Sequence, residues 1–391
     1  MGFQALLSRE DFYGILKETL QEYYRKKYGP CTYVGYEKRP EAKEMIINPR
    51  LGVIVSQSAS KPICEYLYKS FNIRNNKLKN LAAKLFVFLS IHVPGLFALS
   101  RRLYVYPASM INDSVVFYYL NRSIRIFDFC KKRTFSIKKH TFTSKYFDNQ
   151  LKFRREFKYD FIPPIIGYGD DWFEEYILEG CSLARETDEN VFQQGIGTVL
   201  TQINSLQRAT CTYVDASEYV EKITSKILSL LHKASTCKCI NTYNSAIEYL
   251  SALTSYLDVR GHKIPIAESH GDLQVGNVWL SPNKTWIIDW ETHDLRTVWF
   301  DAITIKFGTR YYGGIRNLVV DHMNENTRKQ LLGDFCTTLN IRQMVIVFLI
   351  EDLLFYLEDM MELPFEGGKE SFDAYMNDII STQIIMCLNE E

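Results

Sequence analysis

From Leu103 onward, four short runs of β-branched and aromatic residues follow one another: "LYVYPA", "SVVFYYL", "SIRIFDF" and "TFSIKKHTF". Asn112-Asp113, Asn121-Arg122 and Lys131-Lys132 separate them as turn residues. Runs this short and this rich in strand formers bury their apolar faces as an antiparallel meander and are too short to form amphipathic helices. After Gly180 the texture reverses. "NVFQQGIGTVLTQINSLQRA", "ASEYVEKITSKILSLLHKAS", "RQMVIVFLIEDLLFYLEDMMEL" and "FDAYMNDIISTQIIMCL" place apolar residues three and four apart, the helical period. Between these regions, "SKYFDNQLKFRREFKYDF" predicts a helix ended by Pro163-Pro164, and "PIIGYGDDWFEEYILEGCSL" predicts two strands and a turn. The first 100 residues read as mostly helical, apart from "LGVIVSQ" at 51–57. The expected class is therefore α+β. It comprises a mostly helical N-terminal extension (1–100), an antiparallel β-rich lobe (101–179) and a mainly helical lobe (180–391) interrupted by a polar hairpin at 268–291.

Composition narrows the partners. Lys plus Arg and Asp plus Glu are equal at 46 each, so no net field draws in nucleic acid, and none is expected as a partner. The nine cysteines follow no regular spacing, and the pair Cys237-Lys238-Cys239 has no second pair at zinc-ligand distance. Reduced thiols and an opening stretch without a basic-then-apolar signal point to a cytoplasmic protein. "LAAKLFVFLSIHVPGLFAL" at 81–99 is the one strongly apolar segment. Lys84 and His92 inside it and the Pro94-Gly95 break exclude a span. A buried helix is the first expectation there. An interfacial helix in peripheral contact with the inner face of a membrane is the second.

The hairpin "ESHGDLQVGNVWLSPNKTWIIDWE", residues 268–291, carries the chemistry. Carboxylates and an amide at strand ends stabilise a fold poorly, because burying them costs free energy unless they are paired. They suit Mg²⁺, a hard ion that prefers oxygen ligands and is usually shared with phosphate. Asp272 with Asn277 five residues later matches the base-to-metal-ligand interval of a phosphotransferase catalytic loop. Asp289, after the apolar strand "TWII", can reach the same ion from the other arm.

"HGDLQVGN" followed by "IIDWE" resembles the aminoglycoside phosphotransferase and choline kinase superfamily, whose fold is similar to that of protein kinases. The resemblance implies a two-lobed protein-kinase-like fold and a kinase that uses ATP and Mg²⁺ to phosphorylate a hydroxyl. Carried over, Asp272 is the catalytic base, Asn277 and Asp289 hold Mg²⁺, and His270 and Asp301 brace the loop. "FSIKK" resembles the strand that presents the phosphate-binding lysine, which implies Lys138, with Glu156 as its ion-pair partner. Lys139 would face the opposite side of the strand and be dispensable. "WFEEYILEG" resembles the hinge, where backbone groups near Glu175 and Ile177 would bind a purine. "YPASMINDS" stands where a phosphate-covering loop is expected and has no glycine, so Ser109, Asn112 or Ser114 would donate hydrogen bonds instead.

A likeness to bacterial glycan kinases, carried by "IRIFDF", "FSIKK" and the spaced glutamate, makes a cell-envelope sugar the first expected acceptor. Aminoglycoside- or choline-type alcohols are the alternative, and a catalytically inactive binding module is the competing class. The acidic residues of "EDLLFYLEDMMELPFE" would either line a pocket for a cationic acceptor or form a solvated helix face.

Overall fold

The computed structural model describes residues 6–7, 10–71, 77–93, 99, 101–140, 145–236, 243–321, 323–362 and 365–381. Cys237, Cys239 and residues 94–98 of the apolar segment lie outside the described residues. The chain divides into two compact units, Met1–Phe147 with Pro164–Ile177, and Asp148–Pro163 with Leu178–Glu391. The α+β expectation holds. The first unit is built on a large antiparallel sheet, and the second is mainly helical.

The first unit runs α1 (Phe12–Tyr28), β1 (Tyr33–Gly35), β2 (Lys43–Asn48), β3 (Val53–Val55), α2 (Lys61–Phe71), α3 (Lys77–His92), β4 (Arg102–Tyr106), β5 (Val115–Tyr119), β6 (Ser123–Asp128) and β7 (Arg133–Lys138). Helix α4 (Lys145–Glu156) follows, belonging to the second unit from Asp148 on, and β8 (Gly167–Tyr168) and β9 (Trp172–Tyr176) complete the first unit. The strands form one nine-stranded sheet in the order β1-β4-β2-β3-β5-β6-β7-β9-β8. The separate helical extension expected over residues 1–100 is not what forms. Its three strands pair into the same sheet as β4 to β9, and α1 covers one face of that sheet. The strands at 33–35 and 53–55 are too short to announce themselves in sequence, so only their partners reveal them. The expected meander holds from β5 on. β4 pairs instead with β1 and β2, which makes "YPASMINDS" a crossover between strands that are not neighbours.

Alternation assigns the two faces of the sheet. Phe117, Ile124, Ile126, Phe135 and Ile137 pack with Phe12, Leu16, Leu20 and Tyr23 of α1, which recur at helical spacing. Val53, Val55 and Val116 face the other way, against Ile63 and Leu67 of α2 and Val87 and Ile91 of α3. Lys139, just beyond β7, shares the α1 face. Its side chain is 0% exposed, and its ammonium pairs with Glu10 at 2.7 Å, donates to the Asn121 carbonyl at 2.9 Å and lies 3.7 Å from the Tyr119 ring. It does face away from Lys138, as alternation requires, but the opposite face is a core and not solvent. Lys139 therefore carries a structural weight that strand alternation by itself does not show.

The second unit contains β10 (Cys181–Ser182), α5 (Glu189–Thr210), β11 (Thr212–Asp215), α6 (Ala216–Thr236), α7 (Tyr243–Ser255), β12 (Lys263–Ser269), β13 (Val278–Ser281), β14 (Lys284–Ile287), β15 (Asp294–Thr297), α8 (Phe300–Phe307), α9 (Gly314–Asp321), α10 (Glu325–Leu332), α11 (Ile341–Glu362) and α12 (Phe365–Ser381). Two three-stranded sheets, β10-β13-β14 and β11-β12-β15, are set among these helices. Helix α11 is the hub: Met344, Val345, Phe348, Leu349 and Leu353 are fully buried among α6, α7, α8 and α12. Glu351, Asp352 and Glu358 on the same helix are also buried, so these three do not form a solvated face. Among the described residues, no helix is long and apolar enough to cross a membrane.

Replacing Lys139 by Ala removes the cation paired with the Glu10 carboxylate, and removing one partner of a buried pair costs about 3–5 kcal/mol. Urea unfolding of Lys139→Ala should show a loss of this size. Pairing Lys139→Met with Glu10→Leu should recover most of it, since neither charge is then left unmatched. A single variant within about 1 kcal/mol of wild type would show that the pair carries no such weight.

Candidate active site

Strand β12 delivers the chain into the loop that begins at His270. The buried Asp301 carboxylate, in the first turn of α8, closes that loop by accepting the His270 N–H at 2.7 Å and the Gly271 N–H at 3.0 Å. Gly271 adopts φ +83°, and a Cβ there would meet the Thr292 carbonyl at 2.3 Å. Only glycine fits both the left-handed backbone and the close approach. The His270 ring is pinned at both nitrogens: Nδ1 accepts the Asp272 N–H at 3.2 Å, and Nε2 lies 2.8 Å from the Ile288 carbonyl. A backbone N–H only donates and a carbonyl only accepts, so the neutral Nε2–H tautomer satisfies both contacts. The ring lies 4.7 Å from buried Trp290, which stacks on Phe153. His270 therefore braces the loop from within.

The spacing of twelve between Asn277 and Asp289 is explained by the β13–β14 hairpin. Its register pairs Val278 with Ile287 and Ser281 with Lys284, and the Ile288 N–H donates to the Asn277 carbonyl at 2.9 Å. Asn277 and Asp289 thus stand at the same end of one hairpin. The Asn277 amide donates to the Asp272 carbonyl at 2.8 Å and to Asp272 Oδ2 at 3.3 Å. Both partners accept, which assigns Nδ2 to them and leaves the carbonyl Oδ1 for another ligand. Asp289 sits at φ 68°, ψ 56°, a left-handed conformation that an aspartate tolerates at modest cost. Among the described residues its carboxylate has no hydrogen-bond or ion-pair partner.

Asp272 is held on both oxygens. Gln274 Nε2 donates to Oδ2 at 3.0 Å, and Arg310 Nε donates to Oδ1 at 3.1 Å. The buried guanidinium of Arg310 also binds the Gly271 carbonyl at 2.9 Å, pairs with the fully buried Asp352 and lies 4.0 Å from the Phe355 ring. Burial pushes the Asp272 carboxyl above its ordinary value, against the pull of Arg310. Asp352 is pushed up by the same cause and opposed by the same arginine. Arg310, Asp352 and Gln274 were not singled out in the sequence. The first two lie 38 and 80 residues from Asp272, at intervals that no motif encodes.

The oxygen set of Asp289 and Asn277 suits a hard cation such as Mg²⁺. Among the described residues no group of three or more His, Cys, Asp or Glu is placed to hold a metal by itself. An ion here would complete its shell with phosphate and water.

The remaining expected residues lie mainly in the first unit. Lys138, at the end of β7, has its ammonium 3.9 Å from Asp171 and 5.9 Å from the Phe147 ring. Glu156 is exposed at the end of α4 and belongs to the second unit. Glu175 lies in β9, opposite Thr134. The Ile177 N–H donates to the Lys132 carbonyl at 3.2 Å. Ser109 is exposed in the crossover after β4. In that crossover Asp113 accepts from Ser56 at 2.9 Å, Ser58 at 2.6 Å and Lys43 at 2.5 Å, which ties the segment to β2 and the turn after β3.

No family model matches the chain, and no curated protein matches it. Among solved structures it is similar to an ethanolamine kinase from Plasmodium vivax (TM-score 0.46, 14% identity, covering 82% of this chain and 93% of that one). It is similar also to a choline kinase from Cryptosporidium parvum Iowa II (TM-score 0.41, 14% identity, 71% and 94%). A third is a thermostable mutant of the aminoglycoside phosphotransferase APH(4)-Ia in complex with ADP and hygromycin B (TM-score 0.47, 10% identity, 70% and 93%). These are similarities of outline at low identity, and the chemistry of the loop stands apart from them.

Proposed function

We propose that the protein is an ATP- and Mg²⁺-dependent phosphotransferase that acts on a hydroxyl of a small molecule or glycan. The observation that carries this is the joint geometry of the hairpin. A carboxylate fixed on both oxygens (Asp272) stands beside an amide with its carbonyl oxygen uncommitted (Asn277). An unpartnered carboxylate (Asp289) lies at the same end of the hairpin.

In this reading Asp272 orients the acceptor hydroxyl and takes its proton. Arg310, Gln274 and the Asn277 amide hold its carboxylate in one orientation. Asn277 and Asp289 would hold the metal, and bound Mg²⁺ would neutralise charge between the phosphates. The nucleotide contacts assigned to Lys138, Glu156, Glu175, Ile177 and Ser109 rest on resemblance of sequence.

A cell-envelope sugar remains the first acceptor class. One observation favours an amine-bearing alcohol as the second. A cavity of about 320 Å³ in the second unit is lined by five carboxylates, Asp215, Glu218, Asp294, Glu351 and Glu358, against the three cations Lys222, Lys226 and Arg296, with Tyr219 and Phe355 as aromatic walls, and Lys226 is paired with Glu358 at 2.6 Å. The Phe355 ring also touches the guanidinium that holds Asp272, so the cavity is one side chain removed from the proposed base.

Turnover of ATP with Mg²⁺ against sugars, lipid-linked glycans, amino alcohols and aminoglycosides tests the proposal directly. With the acceptor that responds, Asp272→Asn should cut turnover about 10²–10⁴-fold, the usual contribution of a general base, while MgATP affinity stays near wild type. Near-normal turnover by that variant would remove Asp272 from the role.

Calorimetry addresses the metal pair. Asp289→Ala should abolish the Mg²⁺-dependent part of nucleotide binding, and Asn277→Ala should weaken it less, because a neutral amide contributes less than a carboxylate to a dication. Equal affinity of Asp289→Ala and wild type in Mg²⁺ would sink the assignment.

A further inference from the structure

Helix α3 has two apolar faces, and among the described residues only one of them packs against the rest of the fold. Val87 and Ile91 pack against the sheet and α2, and the helix is anchored where the buried Asn48 amide donates to the Ser90 carbonyl at 2.9 Å. On the opposite side Leu78, Leu81, Leu85 and Phe88 are 80%, 65%, 57% and 55% exposed. Their spacing of three, four and three residues puts them in one stripe along the helix. Scattered exposed leucines are ordinary on a protein surface, but four aligned on one helix mark a surface that meets something else.

Charge identifies what that is. The whole chain is balanced, yet Tyr66 to Asn112 contains no Asp or Glu and carries seven cations: Lys69, Arg74, Lys77, Lys79, Lys84, Arg101 and Arg102. Three of the seven belong to α3 itself, whereas Arg101 lies over the Tyr13 and Tyr36 rings and Arg102 pairs with Glu44. The Lys84 ammonium, beside the stripe, lies 4.9 Å from the Tyr68 ring. An apolar stripe flanked by lysines, on a helix that cannot cross a bilayer, combines the two features that hold an amphipathic helix in the headgroup layer of an anionic membrane.

We propose that α3 is a peripheral docking surface for an anionic lipid bilayer. Leu78, Leu81, Leu85 and Phe88 enter the headgroup–acyl boundary, and Lys79 and Lys84 of the same helix face the lipid phosphates. The surface lies within the first unit and does not depend on the assignment of the catalytic loop.

The test is sedimentation of the full chain with vesicles of phosphatidylcholine alone or with about 30% phosphatidylglycerol, at low and high salt. The chain should bind the anionic vesicles, and about tenfold or more weakly to neutral vesicles or in high salt. The double variant Leu85→Glu/Phe88→Glu should lose binding while its thermal melt stays that of wild type, because both side chains are exposed. Lys79→Glu/Lys84→Glu should weaken binding to the anionic vesicles alone. Equal binding by the leucine–phenylalanine variant, equal binding to neutral and anionic vesicles, or no binding at all would overturn the proposal. A wild-type dimer in light scattering that the same variant dissociates, without vesicle binding, would overturn it too and make the face a self-association surface.

Discussion

One buried carboxylate organises the loop that begins at His270. Asp301 accepts the backbone N–H groups of both His270 and Gly271, so the chain turns sharply as it leaves β12 and two otherwise orphaned donors are satisfied in the interior. The turn then lets His270 bridge the Asp272 N–H and the Ile288 carbonyl, joining the loop to the far arm of the hairpin. That closure anchors to β12 and α8 the relation of Asp272, Asn277 and Asp289 that the hairpin register and the Asn277 amide set locally. The expense of burying a charge in α8 is offset because the carboxylate meets two strong donors rather than one.

A second buried charge system supports the same loop from the helical side. Arg310 stands between Asp272 and Asp352, with the Phe355 ring against its guanidinium. Two carboxylates this close to one cation resist burial together, and burial pushes both upward while the arginine opposes it. Among the described residues the neighbouring Glu351 forms no ion pair. It accepts from Thr297 N and Oγ1 and from the Tyr219 hydroxyl, and burial pushes it up to about 7. The acidic stretch of α11 therefore divides by what each residue meets: one carboxylate tied to the loop, one to β15 and α6, and one, Glu358, to Lys226.

In the first unit the governing constraint is that a nine-stranded sheet has two apolar faces and both must be covered. Helix α1 covers one, and α2 with α3 covers the other. This is why the first 100 residues cannot be detached as an extension, and why Lys139 is locked to Glu10 while its neighbour Lys138 is left beside Asp171.

Much of this was legible in the chain alone. The period of two in "SIRIFDF" and "TFSIK", and the period of three to four in the segments after residue 180, predicted β6, β7, α5, α6, α11 and α12, because side-chain periodicity is a local property of the backbone. The intervals from Asp272 to Asn277 and Asp289 picked out the polar hairpin, since a short loop and a tight hairpin convert fixed sequence spacing into fixed distance. What the sequence could not decide was anything set by contacts between distant segments. The pairing of β1 to β3 into the sheet, the burial of Lys139, the grip of Arg310 on Asp272 and the split between the buried and exposed faces of α3 all join or expose residues far apart in the chain. Hydrogen-bond partners and burial are properties of the folded neighbourhood, and the same lysine or glutamate is written identically whether it meets water or the core.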